Sequence, residues 1–278
     1  MPQFVYAVSS CPTFLGDEAH LAKMIAKLSL SQNINVIQDN SALNGEFEEG
    51  FEAGYKRLER KVFLSSSDPT VDKQMQLVHE AVHVTTDNTF RGDPTPMSAA
   101  LGIRFDRNAP LDPGIPEEYH QLFRFDEMKA YLKNLHYLLS VAKYRRELGM
   151  DTAEQAENIS KLMHKDGRSF AAASKNILGQ LIAALENRVQ LTMRPIRYAP
   201  DTPDHFIIQI VLPQPDGNPI VVSVPMYDPD VMKNGGEFKF LVPKLLAVLH
   251  TAIDIADHHL KAYDKIKLPE PPPKPSTN

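Results

Sequence analysis

The sequence predicts an α+β protein in which a small N-terminal sheet and its helices are followed by a helical region with a β-hairpin. Three observations predict this class. Short β-rich runs alternate with amphipathic helical repeats in the first part of the chain. Helical periodicity then extends from residue 123 to residue 192. Finally, two β-rich runs flank the Asp-Gly pair at 216–217, which is typical of a hairpin.

The first part of the chain alternates strands and helices. Apolar residues recur at helical spacing after Asp17, with acidic residues in the first turn, so a helix begins there. The runs around Val36 and Phe63 are short and rich in β-branched or aromatic residues, as strands are. In chain order we predict a strand at 2–8, a helix at 17–32, a strand at 34–39, a charged helix at 46–60 and a strand at 61–67.

A further helix follows Ser67-Asp68-Pro69, because a capping residue before a first-turn proline favours a helix start. Its apolar stripe comprises Val71, Met75, Val78 and Val82. Its polar side comprises Asp72, Gln76, His79, Glu80 and His83. The Gly- and Pro-rich run at 91–96 ends this helix.

The second part of the chain is helical and then β-rich. In order we predict a long loop at 91–118, helices at 123–148, 152–164 and 168–192, hairpin strands at 205–212 and 219–226, and a helix at 240–264. Residues 268–278 are proline-rich and should be extended. We therefore divide the chain into an N-terminal domain at 1–150, a C-terminal region at 151–267 and a disordered tail.

Composition narrows the functional classes. The chain has 278 residues, 42% of them hydrophobic and 23% charged, with a formal net charge of -5. No basic run is interleaved with aromatic residues, so we expect no nucleic-acid partner. No run of apolar residues is long enough for a membrane span, and the N-terminus lacks secretory-signal features. We expect a cytoplasmic protein, or one exported by a route that needs no N-terminal signal peptide.

The run HEAVH at residues 79–83 contains the candidate metal ligands and the candidate general base. Histidines at i and i+4 share one face of a helix and can bind one metal ion together. Glu80 follows the first histidine and lies beside that position, where it could act as general base. The pattern predicts a Zn2+ site with His79 and His83 as ligands.

The stretch KVFLSSSDPTVDKQMQLVHEAVH at residues 61–83 resembles the edge strand, connection and active-site helix of zincin-type metallopeptidases. The resemblance implies a zincin-like N-terminal domain that hydrolyses peptide bonds. It also implies that residues 61–67 form the edge strand that pairs with an extended peptide or protein substrate.

The third ligand distinguishes the zincin subfamilies. The metzincin pattern requires Gly and His where this chain has Thr86 and Thr89, so that subfamily is excluded. The run DEMKAY at 126–131 resembles the E-x-x-A-Y run of small bacterial, gluzincin-like HExxH enzymes, and it implies that Glu127 is the third ligand. Asp87 and Asp93 are the alternatives.

Catalysis also needs a group that stabilises the oxyanion, and Tyr131 lies one turn beyond Glu127. His120, Tyr119 and His136 are further possibilities that the sequence does not separate from it. The prediction is a zinc peptidase that uses metal-activated water and Glu80. The alternative is a non-enzymatic interaction module in which the HEAVH helix is structural or holds a silent metal.

Overall fold

A computed structural model describes residues 16–46, 53–106, 122–162, 167–215, 217, 219–229 and 241–266. The predicted strand at 2–8 and the proline-rich tail at 268–278 lie outside these residues. Among the residues described, no helix is both long and apolar enough to cross a membrane.

The first part of the chain contains a three-stranded sheet with its helices. The elements are α1 (Glu18–Gln32), β1 (Asn35–Gln38), α2 (Asn40–Glu46), β2 (Ala53–Lys56), β3 (Lys61–Leu64), α3 (Thr70–Gly92) and α4 (Pro96–Leu101). The strand order is β1-β3-β2, with β1 parallel and β2 antiparallel to β3. Asp17 caps α1 by accepting a hydrogen bond from the backbone N–H of His20 at 2.6 Å.

The second part of the chain contains the longer helices and a five-stranded antiparallel sheet. Its elements are β4 (Arg104–Asp106), β5 (Leu122–Arg124), α5 (Glu127–Glu147), α6 (Ala153–Lys161), α7 (Gly167–Glu186), β6 (Thr192–Arg197), β7 (His205–Leu212), β8 (Ile220–Tyr227) and α8 (Val242–Lys265). The strand order is β5-β4-β8-β7-β6. The predicted α+β class and the predicted hairpin are confirmed. The domain boundary at residue 150 stays a prediction, and the second sheet contains strands from both sides of it.

Helix α3 lies between two hydrophobic clusters. We define the N-terminal cluster as the buried residues Leu21, Ile34, Val62, Leu64, Leu77 and Val84. The main cluster is formed by α4, α5, α7, α8 and the second sheet, and α3 contributes Val71 and Phe90 to it. Helix α3 also packs against α5, and His79 and His83 lie on the side that faces α5.

Three predicted elements differ from the structure. The helix predicted at 46–60 is wrong: β2 lies there and pairs with β3. Gly50 and Gly54 interrupt that segment, and glycine weakens a helix interior. The loop predicted at 91–118 contains α4 and β4. The helix predicted from residue 123 begins at Glu127, because β5 pairs with β4 first.

The edge-strand expectation for residues 61–67 is also wrong. Strand β3 is the middle strand of its sheet, with β1 on one side and β2 on the other. Its backbone hydrogen-bonding groups are therefore used within the protein, and it cannot pair with a substrate. Strand β2 is an edge of that sheet.

Candidate metal centre

Two helices bring the candidate ligands together. His79 and His83 lie one turn apart on the side of α3 that faces α5, and their ring centroids are 5.0 Å apart. Glu127 is the first residue of α5 and follows the chain reversal after β5. The contacts of Glu127 with both histidines place the start of α5 against the middle of α3.

The three side chains converge through their ligand atoms. Nε2 of His79 lies 2.8 Å from Oε2 of Glu127, and Nε2 of His83 lies 3.1 Å from Oε1. One candidate ligand atom from each residue lies within 4.8 Å of the others, so this group could hold a metal ion. Deprotonated imidazole nitrogens and carboxylate oxygens are all electron-pair donors, so a proton or a metal ion must lie between them. Two histidines and one carboxylate also form a ligand set used by catalytic zinc sites.

A second carboxylate supports His83 from behind. Oδ2 of Asp126 lies 3.0 Å from Nδ1 of His83, on the side of the ring away from Glu127. Arg124 holds Asp126 with two hydrogen bonds, from Nε at 2.9 Å and from Nη2 at 3.0 Å. An Nδ1–H beside a carboxylate leaves Nε2 of His83 available as a ligand.

Asn134 has the corresponding position for His79. Its amide nitrogen lies 3.3 Å from Nδ1 of His79, while its Oδ1 atom is buried with no hydrogen-bond partner among the described residues. Rotation of the amide by half a turn lets Oδ1 accept the Nδ1–H of His79. That arrangement satisfies the orphaned oxygen and leaves Nε2 of His79 for a metal ion, so the residues present fit the proposed zinc ion.

The charges of this cluster perturb its titration. Burial lowers the pKa of His83, but the carboxylates of Asp126 and Glu127 outweigh burial and raise that pKa to about 10. Burial raises the pKa of Glu127, but the histidines His83 and His79 dominate and hold it well below its usual range. The opposite directions of the two pKa shifts mean that the histidines and the carboxylates stabilise each other's charged forms.

Glu80 lies in the same buried space, with 6% of its surface exposed. Burial raises the pKa of its carboxyl above the ordinary value, and the nearby histidines His83 and His79 oppose the shift. A buried carboxyl with a raised pKa is a better proton acceptor than an exposed one.

Tyr131 also lies beside the cluster. It is 4% exposed, and its ring centroid is 5.1 Å from that of His79 and 5.8 Å from that of Phe170. Its predicted role at the oxyanion stays a prediction. His136 is exposed on α5, whereas Tyr119 and His120 lie outside the described residues.

The alternative third ligands point elsewhere. The Asp87 carboxylate accepts hydrogen bonds from the hydroxyls of Tyr55 and Tyr198 and from Nε of Arg91. Asp93 is exposed and ends α3, where its backbone N–H donates to the carbonyl of Thr89. Of the carboxylates of Glu127, Asp87 and Asp93, that of Glu127 lies beside the two histidines in the described structure.

Sequence reasoning missed three of the supporting residues. Asp126 directly precedes Glu127, and Arg124 lies two residues earlier in the run RFDE. Asn134 lies seven residues after Glu127, which is two helical turns along the same face. The helical spacing could have indicated Asn134, whereas the roles of Asp126 and Arg124 depend on the turn between β5 and α5.

No model of a known protein family matches this chain, and no curated protein or solved structure matches it.

Proposed function

We propose that this protein is a zinc-dependent peptidase. The observation that carries the proposal is the convergence of both Nε2 atoms on the Glu127 carboxylate, with Asn134 and Asp126 behind the Nδ1 atoms. A bound zinc ion would supply a Lewis acid that polarises the scissile carbonyl and lowers the pKa of water. His79, His83 and Glu127 would hold it and leave one position open.

The chain itself would move the proton. Glu80 follows His79 on α3 and is buried against the cluster, so it is positioned to take a proton from the attacking water. It would then give that proton to the leaving amine. Tyr131, packed against His79, would stabilise the developing negative charge.

The first experiment measures metal content. The purified protein, loaded with zinc and then desalted, should retain one zinc ion per chain, and His79→Ala should lose it. His136→Ala is the matched control, because His136 is an exposed histidine on α5. A wild-type protein that retains no zinc under these conditions would remove the basis of the proposal.

The second experiment separates catalysis from silent metal binding. Glu80→Gln should retain zinc and lower peptide hydrolysis by about 10²–10⁴-fold, the usual contribution of a general base. Cleavage of an unstructured protein such as casein, followed by mass spectrometry, is the measurement. If wild type retains zinc but cleaves no peptide, the non-enzymatic alternative is favoured.

A further inference from the structure

A row of polar side chains crosses one face of the five-stranded sheet and ends beside the metal centre. Directly opposite residues of antiparallel strands project from the same face. The strand register places five polar residues opposite one another in turn: Arg124, Arg104, Ser223, Gln209 and Arg194. Arg124 is the end of this row that contacts Asp126 in the candidate centre.

Arg104 is the arginine of this row whose side chain has no partner among the described residues. Arg124 is paired with Asp126, and Arg194 donates to Oε1 of Gln209. The side chain of Arg104 is half-buried and makes no ion pair or hydrogen bond within the part of the chain that the structure describes. It also lies opposite Arg124, and like charges in that position repel.

Arg57 adds a further positive charge nearby. Its Nη2 donates to the carbonyl of Tyr198 at 3.0 Å, and its guanidinium lies 4.2 Å from the centroid of that ring. Its Nε is buried without a hydrogen-bond partner among the described residues, 3.9 Å from Oδ1 of Asp87. Burial, together with the positive charges of Arg124 and Arg57, lowers the pKa of Arg104 to about 9.

The neighbouring carboxylates, those of Asp126 and Asp87, already accept hydrogen bonds or pair with other side chains. Asp126 is shared between Arg124 and His83. Asp87 accepts from two tyrosine hydroxyls and from Arg91. A half-buried guanidinium without a counter-charge is costly to retain unless an anion binds to it. Its planar fork of donors matches a carboxylate.

We propose that Arg104, flanked by Arg124 and Arg57, binds the C-terminal carboxylate of a peptide substrate and so orients the chain end toward the metal centre. This inference rests on the proposed peptidase function. It makes the protein selective for peptides with a free C-terminus within reach of the scissile bond. An internal segment of a folded protein has no such carboxylate.

Peptide binding to the metal-free protein tests this inference without zinc and without hydrolysis. The probes are N-acetyl-tetra-alanine as the free acid and as the C-terminal amide, measured by NMR titration. Wild type should bind the acid about tenfold more tightly, as expected for a charge-assisted hydrogen bond. Arg104→Gln should bind the two peptides equally, and Arg104→Lys should keep part of the preference.

Arg194→Gln is the matched control, because Arg194 lies at the far end of the same row. It should keep the wild-type preference for the acid. Thermal melting checks that each variant is folded, and removal of Arg104 should not lower the midpoint, since it relieves a repulsion. Inorganic phosphate serves as a third probe of the site.

Equal binding of acid and amide by wild type, or no binding of either, would overturn the inference. So would phosphate binding that depends on Arg104 without any preference between the peptides, because the site would then serve another anion. Zinc binding is measured in a separate experiment, the metal-content assay of the wild-type protein and His79→Ala. The failure of the peptidase proposal and the failure of this one are therefore distinguishable.

Discussion

Helix α3 carries two buried polar clusters that differ in how their charges are satisfied. At Asp87, which is 2% exposed, hydroxyl and guanidinium donors surround one carboxylate. One turn earlier, at His83, imidazole nitrogens and the Glu127 carboxylate face one another. The Asp87 carboxylate has its hydrogen-bond donors within the described part of the protein, whereas the candidate metal centre needs a proton or a metal ion between its groups.

The difference shows which buried carboxylates are structural. Asp87 connects α3 to Tyr55 on β2 and to Tyr198 just after β6, so it links the first sheet to the second. Glu127 connects α3 to α5 through atoms that are all potential metal ligands. Burial alone does not separate the two clusters; the chemistry of the partners does.

The largest effect is expected from Asp87→Ala. Removing this carboxylate leaves Arg91 and Arg57 without their buried partner, so we expect a loss of about 3–5 kcal/mol in the free energy of unfolding. Urea denaturation of the metal-free protein is the measurement. Asp93→Ala is the control: Asp93 is an exposed aspartate of the same helix, and its loss should cost less than about 0.5 kcal/mol. Equal stability of the two variants would contradict the structural role of Asp87.

A smaller effect is expected from Asp126→Asn, which changes the candidate metal centre and not the Asp87 cluster. The carboxylate behind His83 orients the ring and increases its basicity, so its loss should weaken zinc binding by about 10–100-fold. Competition with a chromophoric chelator measures the change. Asp201→Asn, which alters an exposed partner of Arg91, should leave the zinc affinity unchanged. An unchanged affinity in Asp126→Asn would mean that the zinc ion does not use His83 in the proposed way.

The smallest effect is expected from Tyr55→Phe. This change removes one hydroxyl donor from Asp87 and keeps the ring that packs on the N-terminal cluster, so we expect a loss of about 1 kcal/mol. The double variant with Asp87→Ala provides the check. There the tyrosine change should cost almost nothing further, because its partner is already gone. Additive losses would place the contribution of Tyr55 elsewhere.

The local sequence pattern was sufficient to predict two of the three candidate ligands. The i, i+4 spacing of His79 and His83 indicates a shared helix face from sequence alone, and the structure places both rings on it. The prediction of Glu127 as the third ligand rested on the resemblance of the run DEMKAY to a known family, and the structure places that residue beside the histidines. Helical spacing depends only on residues that are close in sequence, so a shared helix face can be predicted without knowledge of the fold.

The missed elements depend on distant pairing. Strand β2 is short and lies in a polar, glycine-containing segment, so its pairing with β3 leaves little local pattern. Strand β6 contains Pro195 and was not predicted as a strand. It is an edge strand, where proline is tolerated. The middle position of β3, which excludes substrate pairing, likewise depends on two partners that approach from elsewhere in the chain.

The position of α3 between two clusters has a consequence for slow motions. Opening of the N-terminal cluster leaves this helix packed on the main cluster, and opening of the main cluster leaves it packed on the N-terminal one. We therefore expect its amide hydrogens to exchange with solvent only through the least frequent openings of the molecule. On this expectation the two histidines lie on one of the most slowly exchanging segments of the fold, and their spacing should persist when peripheral elements open.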